Sequence, residues 1–515
     1  MGTPKEVELK LDCGAPELAE LARHPLLDVA EPTEAEFLSA TYYDTADRAL
    51  HRQGMTLRVR RHGERHVQTV KVASSAAGLF DRSEWEWAVD GPLPDLSLLD
   101  DTPIPDVLGS ASSPDLAAVV TTVIERTTRA VTYGVSRISA TLDQGRVETP
   151  VGDVPLWELE LELIEGIPAD LFSLAQSLAE TVPLRLGVLA KSERGFRILN
   201  ETLRRPSKAG SVKLDQDSSA TVAFRAIAIA CLTHLRLNED VFLKTRDPEG
   251  LHQIRVALRR LRSAFTLFKP ILASDPAATH LREEIKRVTE PFGQARNLDV
   301  FLSETLPEEM AKRPDEAGLD DLRIRLEAER EIAYDAVFSI LESQSWRSLI
   351  LDLSAWIETG PWRNEETRST ISARDYAEEI LDKSRRRIRR RGRHLHRVDA
   401  EERHQVRIEA KKLRYGAEFF ASLYAGKKAQ KRHKAFVAAL SDLQDHLGAL
   451  NDIATAHSVI ASLIATGPTA NSEGEAGTMF AAGLTAADGE ARTNDLLRSA
   501  EQAHEALLDV KPFWR

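Results

Sequence analysis

The hydrophobic period of this chain changes near residue 200, and no single architecture satisfies both halves. Before that point apolar and polar residues alternate, in VELKL (7–11), FLSATYYD (37–44), MTLRVRR (55–61), HVQTVKV (66–72), SEWEWAV (83–89), VIERTTRAVTYG (123–134), RISATLD (137–143) and PLWELELEL (155–163). Alternation puts every second side chain on one face, so these segments read as about eight strands, each with an apolar and a polar side. Gly63, in RHGERH, marks a tight hairpin, and short helices are expected over 16–23 and 169–180. From about residue 218 the apolar residues recur at helical spacing, as in LHQIRVALRRLRSAFTLF (251–268), around 319–338, and in KAFVAALSDLQDHLGAL (434–450). The polar stretch RRPSKAGSVKLDQDSS between the halves reads as a linker. The expected organisation is an α+β domain over 1–200, a linker over 201–217 and an all-α domain over 218–515. Residues 466–492 are expected to form a flexible insertion before a last helix.

A length of 515 residues also asks for more than one core. With 42% hydrophobic and 29% charged residues the chain has the balance of a globular protein and not of a disordered one. Cys13 and Cys231 have no metal or redox spacing, which suits a reducing cytoplasm. The charged start MGTPKEVELKLD lacks a signal core, and Glu6 stands where a myristoylation motif needs Ser or Thr. The best apolar run, TVAFRAIAIACL, is broken by Arg225, so no membrane span is expected. A net charge of −12 argues against bulk affinity for nucleic acid but allows a local basic groove.

Such a basic feature exists, twice. HQIRVALRRLR (252–262) returns 152 residues later as HQVRIEAKKLR (404–414). His252, Arg255, Arg259 and Arg262 share their spacing with His404, Arg407, Lys411 and Arg414, and on a helix each set falls in a stripe roughly 80° wide. Arg260 and Lys412 flank the stripes, while Ile254, Leu258, Leu261 and Phe265 leave an apolar side for packing. A second pair, FGQARNLDVF (292–301) and LGALNDIATA (447–456), follows at a similar offset, so two pseudo-symmetric helical repeats are expected. A charged run on a helix is ordinarily a solvated face. Here nearly all charges have one sign, arginine forks suit phosphate oxygens, and duplication lets two stripes face one groove. The run KSRRRIRRRGRHLHR (383–397) adds further like charge that a polyanion would offset. Aromatic residues are sparse among these cations, which disfavours single-stranded nucleic acid and favours a phosphate polymer without bases.

These repeats, with RNLD (296–299) and ND (451–452), resemble the CHAD family, helical bundles that bind inorganic polyphosphate. The resemblance implies a polyphosphate site formed by His252, Arg255, Arg259, Arg260, Arg262, Arg296, His404, Arg407, Lys411, Lys412 and Arg414, with histidines that titrate near neutral pH.

In the strand half, EVELK places Glu6, Glu8 and Lys10 on one face, and WELELEL places Glu158, Glu160 and Glu162 opposite its Trp and Leu residues. Arg82, Glu84 and Glu86 share a face of RSEWE; Arg58 and Arg60 belong to LRVR, Lys71 ends QTVK, Arg126 lies in IERTT and Asp143 in TLDQG. Any one of these is an ordinary wet sheet face. Together they concentrate carboxylates on the first, fifth and last strands and cations on the third and fourth. About eight strands suffice to close an antiparallel barrel, whose inward charges would form a tunnel. Carboxylates suit Mg²⁺ or Mn²⁺, and cations neutralise phosphate, which is the equipment of phosphoryl transfer.

ExExK (6–10), YYDT (42–45), LRVR, TVK, RSEWE, LDQG, ELELEL and AKSERGF (190–196) in this order resemble the CYTH family, the triphosphate tunnel metalloenzymes. The resemblance implies metal ligands at Glu6, Glu8, Glu158, Glu160 and Glu162. It implies phosphate ligands at Lys10, Arg58, Arg60, Lys71, Arg82, Arg126, Lys191 and Arg194, with Glu84, Glu86 and Asp143 in support. Ala190 departs from the Ser frequent before this lysine. CYTH followed by CHAD resembles bacterial inorganic triphosphatases. The expected activity is metal-dependent hydrolysis of inorganic triphosphate to pyrophosphate and phosphate in the cytoplasm, with polyphosphate held by the helical half and an association with polyphosphate granules. The alternatives are adenylate cyclase, thiamine triphosphatase, or a polyphosphate receptor without catalysis. No specific nucleic acid or membrane partner is expected, and oligomeric state and general base are open, with a carboxylate of ELELEL as first choice for the base.

Overall fold

The computed structural model describes residues 7–28, 35–73, 82–109, 115–363, 371–465 and 472–515. Two compact units emerge: Met1–Lys208 with Leu232–Thr245 and Glu342–Pro361, and Ala209–Cys231 with Arg246–Leu341 and Trp362–Arg515.

The first unit is built on β1 (Glu8–Asp12), β2 (Glu36–Thr45), β3 (Met55–His62), β4 (Arg65–Ala73), β5 (Arg82–Val89), β6 (Leu116–Tyr133), β7 (Ser136–Thr149), β8 (Gly152–Glu165) and β9 (Arg185–Leu186). The pairings are antiparallel, in the order β5-β4-β3-β2-β6-β7-β8-β1-β9. The expected closed eight-stranded barrel is therefore corrected: among the described residues the sheet is open and has nine strands. The additional strand, β9, has two residues and no alternation to read. It pairs with β1 through Leu11 and Leu186, and Arg236, almost wholly buried, fixes it by donating from Nε to the Leu186 carbonyl at 2.9 Å. So short an edge gives the eight-residue β5 no ladder along which to close.

Alternation is realised in the register. Leu9 and Leu11 of β1 face Leu161 and Leu159 of β8, all four without solvent exposure. The helix Pro168–Ala179 lays Leu171, Leu174, Ala175 and Leu178 into the same unit's core, each fully buried. Each such Leu contributes about 1.5–3 kcal/mol. On the other face of β1 and β8 the partners are Glu8 with Glu162, Lys10 with Glu160, and Asp12 with Glu158. Gly63 sits in the β3–β4 hairpin at φ 60°, the sign a primed turn requires at its first position.

The second unit is helical. Its duplicated helices are Pro248–Leu267 and Ala400–Phe419. Each is capped by an aspartate side chain, Asp247 accepting from the Glu249 amide and Asp399 from the Glu402 amide. These caps stand five residues before His252 and His404, so the repeat extends beyond the segment legible as a motif. Just past the other end, the equivalent residues Phe268 and Phe420 touch, with ring centroids 5.8 Å apart. Contact between a residue and its own repeat mate is what a pseudo-two-fold arrangement produces. Phe268 also packs against Phe224 and Tyr376.

Residues 472–492, expected in a flexible insertion, instead begin the long helix Ser472–Asp509, which packs on Lys427–Ala465. Alanines at Ala481, Ala482 and Ala500 are buried on it, so small residues that resembled a loop composition serve close helix packing. Helix Ala220–Thr245 has a window of mean hydropathy 1.4, and 72% of that window is buried inside the protein, the state of a core helix.

Candidate functional site

The polar face of the sheet surrounds a cavity of about 920 Å³. Residues of β1 and β5, near opposite ends of the strand order, line it together, so the sheet is strongly curled. Its charged lining consists of Lys10, Arg58, Arg60, Lys71, Arg126 and Lys191 with Glu8, Glu84, Glu86, Glu160, Glu162 and Glu193. Among the described residues, six cations and six carboxylates balance along this wall.

Two ion clusters organise this wall. In the first, Lys191 starts the helix Lys191–Leu199 and places Nζ 2.8 Å from Asp143 Oδ2 and 2.9 Å from Glu160 Oε1, with Glu158 in contact as well. Arg126 forks onto Asp143 at 2.7 and 2.6 Å and reaches Glu160 Oε2 at 3.0 Å. Lys10 pairs with Glu160 and lies 3.1 Å from Glu8 Oε1. Burial alone would raise the Glu160 carboxyl, but Lys10, Lys191 and Arg126 outweigh it and hold Glu160 well below the usual range. Burial pushes its neighbour Glu158 up to about 7 despite Lys191. The Glu158–Glu160 pair therefore ionises first at Glu160.

In the second cluster Lys71 Nζ lies 2.8 Å from Glu84, Arg58 lies 3.8 Å from Glu84 and 3.9 Å from Glu86, and Arg60 lies 3.8 Å from Glu86. Thr69 donates to Glu86 at 3.1 Å. Burial together with Arg58 and Arg126 lowers the Arg60 guanidinium, an environment that favours an added anion.

The expected site residues divide. Glu8, Lys10, Arg58, Arg60, Lys71, Glu84, Glu86, Arg126, Glu160, Glu162 and Lys191 line the cavity. Asp143 and Glu158 are fully buried beside Lys191, and Arg194 turns to Asp12 at 2.5 Å. Glu6 lies outside the described residues, as does the side chain of Arg82. Pattern reading missed Tyr42, Thr141, His51 and Glu193. Tyr42 is a β2 residue in register with Arg58 and hydrogen-bonds it. His51 sits on the four-residue helix Ala49–Arg52, too short for any period, and bonds Glu193 at 2.9 Å.

Two groups of carboxylates on this wall have the chemistry of a cation site. Asp143, Glu158 and Glu160 can bring oxygens within 4.8 Å of one another, but the Lys191 ammonium contacts all three. The Lys191 ammonium thus bridges the trio. Glu8 and Glu162, in contrast, stand directly opposite one another across β1 and β8 at the cavity wall. With Glu160, which also lines the cavity, they form a carboxylate set whose oxygen donors suit a hard divalent cation.

The second unit brings the duplicated stripes together. Arg259 depresses both Arg255 of its own helix and Arg407 and Lys411 of the other, so the stripes meet at Arg259. Among the described residues, Nδ1 of His252 and Nε of Arg255, Arg259, Arg407 and Arg414 are buried without a hydrogen-bond partner. Gly293 leaves room for Arg255: a Cβ there would stand 3.2 Å from Arg255 Nη1. Burial pushes Arg255 down to about 10, with Arg259 and Arg296 adding to it. Burial, then Arg407, Arg259 and Arg414, push Lys411 down to about 7. His252 is pushed to about 4, chiefly by burial and Arg296, which corrects the expectation of titration near neutrality for that residue. His404 instead donates from Nδ1 to Asn451 at 3.0 Å.

Some cations do not join this cluster. Arg260 is buried, paired with Glu418 and stacked over Phe419 at 4.9 Å. Lys412 binds Glu409 at 3.2 Å. Arg262 is depressed by burial and by Arg282. In the basic run, Arg385 donates to the carbonyls of Leu508 and Val510, while Arg386, Arg389, Arg390, Arg391 and Arg393 are exposed.

Comparison with known proteins matches both units. Residues 4–196 match the CYTH domain and residues 226–461 the CHAD domain. Over 200 residues the chain is 27% identical to an inorganic triphosphatase of Haemophilus influenzae, an alignment covering 37% of this chain and 54% of that protein. The chain thus spans about half the length of this curated relative. The CHAD domain from the plant Ricinus communis is 32% identical, with a TM-score of 0.51, over 59% of this chain and 97% of that structure. The chain is accordingly a CYTH domain followed by a CHAD domain.

Proposed function

We propose that the CYTH cavity hydrolyses inorganic triphosphate to pyrophosphate and phosphate with Mg²⁺ or Mn²⁺, and that the CHAD groove holds inorganic polyphosphate. The observation that carries the first part is the wall on which, among the described residues, six cations and six carboxylates balance. A neutral wall does not by itself offset a triphosphate bearing about four to five negative charges, whereas cations drawn to the carboxylates do. When bound, the divalent ion supplies neutralisation of phosphoryl charge and a more acidic water.

Glu8, Glu160 and Glu162 would hold the ion. Arg58, Arg60 and Lys71, on neighbouring strands, grip one end of the phosphate chain, with Tyr42 fixing Arg58 and Glu84 fixing Lys71. Lys10, Arg126 and Lys191 face the other end, their positions set by Glu160 and Asp143. Glu160, ionised by three cations, is a poor proton acceptor, and Glu158 is buried behind it. Glu162 is left as the carboxylate of β8 to orient the attacking water and take its proton.

Adenylate cyclase and thiamine triphosphatase activity both need a surface for an organic ring. The aromatic side chains among the described lining are Tyr42, engaged by Arg58, and His51, stacked on Phe196 at 3.9 Å. That favours an inorganic substrate. The test is orthophosphate release from tripolyphosphate, ATP and thiamine triphosphate in parallel. The reading predicts a kcat/KM for tripolyphosphate at least tenfold above the other two, and a preference for either organic triphosphate refutes it.

The polyphosphate part rests on the buried, partnerless guanidinium nitrogens of two helices that meet in one groove. A cytoplasmic location at polyphosphate granules belongs to the same reading, which the free thiols of Cys13 and Cys231 suit.

A further inference from the structure

His51 stands at the wall of the CYTH cavity on an element that could not hold it there unaided. Its helix, Ala49–Arg52, has four residues, too few to persist on backbone bonds alone. Three side-chain oxygens fasten it. Asp44, almost wholly buried, accepts from the Leu50 amide through Oδ1 and from the His51 amide through Oδ2, both at 3.0 Å. Thr45 Oγ1 accepts from the Ala49 amide at 2.8 Å. The chain enters the helix through Arg48 at φ 58°, a left-handed conformation that is costly for a residue with a side chain and persists where the surroundings fix it. The Arg48 guanidinium reaches Asn200, just past the helix Lys191–Leu199. Asp44 and Thr45 of the YYDT segment thus set the position of the His51 backbone.

The imidazole is fixed as closely. It lies against the ring of Phe196, with centroids 3.9 Å apart and planes 22° from parallel, and donates from Nε2 to Glu193 Oε2 at 2.9 Å. Arg197 holds Glu193 in turn, donating from Nε to Oε1 at 3.2 Å. His51 and Glu193 line the cavity, whereas Phe196 is buried behind them.

A cavity of about 920 Å³ is large enough for a nucleotide by volume. A preference for bare triphosphate must therefore come from what the walls offer. Phosphates need cations, and an adenine also needs the flat face of a ring. One base on one aromatic face adds about tenfold to affinity. Phe196 is such a face, one side chain behind the wall, and His51 occupies it.

We propose that His51 is a specificity-determining residue of this cavity: its imidazole covers Phe196 and withholds from a nucleoside triphosphate the stacking surface that would hold its base. The inference rests on the triphosphatase reading and names the side chain behind the preference for an inorganic substrate. His51 takes no part in the chemistry. A side chain that served packing alone would affect both kinds of substrate equally when removed.

The test is orthophosphate release from tripolyphosphate and from ATP by the full chain with Mg²⁺ or Mn²⁺, with melting temperatures measured alongside. His51→Ala should raise the ratio of kcat/KM for ATP to that for tripolyphosphate about tenfold, mainly through a lower KM for ATP. His51→Leu, which keeps Phe196 covered without an aromatic ring, should leave the ratio close to that of wild type. His51→Ala/Phe196→Leu should lose the gain. If His51→Ala melts below the assay temperature, Glu193→Ala, which releases the imidazole from its carboxylate, should move the ratio in the same direction. An unchanged ratio, a gain that survives loss of the Phe196 ring, or a fall in ATP turnover that makes His51 itself the stacking surface overturns the proposal and leaves the triphosphatase reading standing. Wild type that prefers ATP, or that releases no phosphate from tripolyphosphate, overturns both.

Discussion

Lys191 Nζ sits within 2.9 Å of both Asp143 Oδ2 and Glu160 Oε1, and it is the ammonium that makes a buried acidic trio tolerable. This contact ties two fully buried carboxylates, Asp143 and Glu158, to Glu160, which also lines the cavity.

Removing that charge leaves Asp143, Glu158 and Glu160 facing one another in a nearly dry site. Lys191→Ala is expected to destabilise the CYTH domain by about 3–5 kcal/mol, read as a shift of the denaturant midpoint. Lys191→Arg should recover part of it. An unchanged midpoint in the alanine variant would mean that the trio is solvated.

Glu158 makes a pH signature. Its folded value, about 7, lies above that of an unfolded glutamate, so it contributes stability that is full below about pH 4.5 and lost as pH rises through 7. Glu158→Gln removes that loss. The variant should gain on the order of up to 3 kcal/mol relative to wild type between pH 4.5 and 8, with melting temperature against pH as the readout. Parallel curves for the two proteins would show that Glu158 is already ionised at low pH.

The two faces of the duplicated helix should separate by mutation. Arg255→Glu with Arg407→Glu reverses charge inside the groove, and polyphosphate binding should fall at least a hundredfold while tripolyphosphate hydrolysis changes by less than twofold. Retained binding would sink the groove reading.

Arg260, adjacent in sequence, points elsewhere: it is buried against Glu418 and Phe419. Arg260→Ala should lower stability by about 1–3 kcal/mol, since a buried side chain leaves its packing site, the half-buried Glu418 loses its nearer partner and an aromatic face loses its cation. Its folded fraction should bind polyphosphate with nearly wild-type affinity, measured by fluorescence anisotropy below the melting temperature. A specific loss of binding would return Arg260 to the groove.

How much of this was legible in sequence follows from what each signal encodes. Alternation encodes face, and so it placed Glu8, Glu160, Arg58 and Lys71 on the lining side of their strands. It does not encode depth along the strand, which is why Glu158 and Glu160, two residues apart on one face, end with different environments. It is blind to β9, whose two residues have no period, and hence to the open edge of the sheet. Helical spacing encodes a stripe, which gathered His252, Arg255 and Arg259. A position 100° away, such as Arg260, can belong to the core when an aromatic pair receives it. His51 and Glu193 come from short or irregular segments and meet only through the tertiary fold.

If the cavity wall is a catalytic surface organised around Glu8 and Glu162, which face each other across β1 and β8, its activity depends on both carboxylates. The direct measurement is orthophosphate release from tripolyphosphate by wild type and by Glu8→Gln/Glu162→Gln, with Mg²⁺ or Mn²⁺ and again after chelation. Wild type should turn over until the metal is chelated, and the variant should lose at least a hundredfold while melting no lower. Turnover that survives in the variant, or wild type that releases no phosphate with either metal, would contradict it.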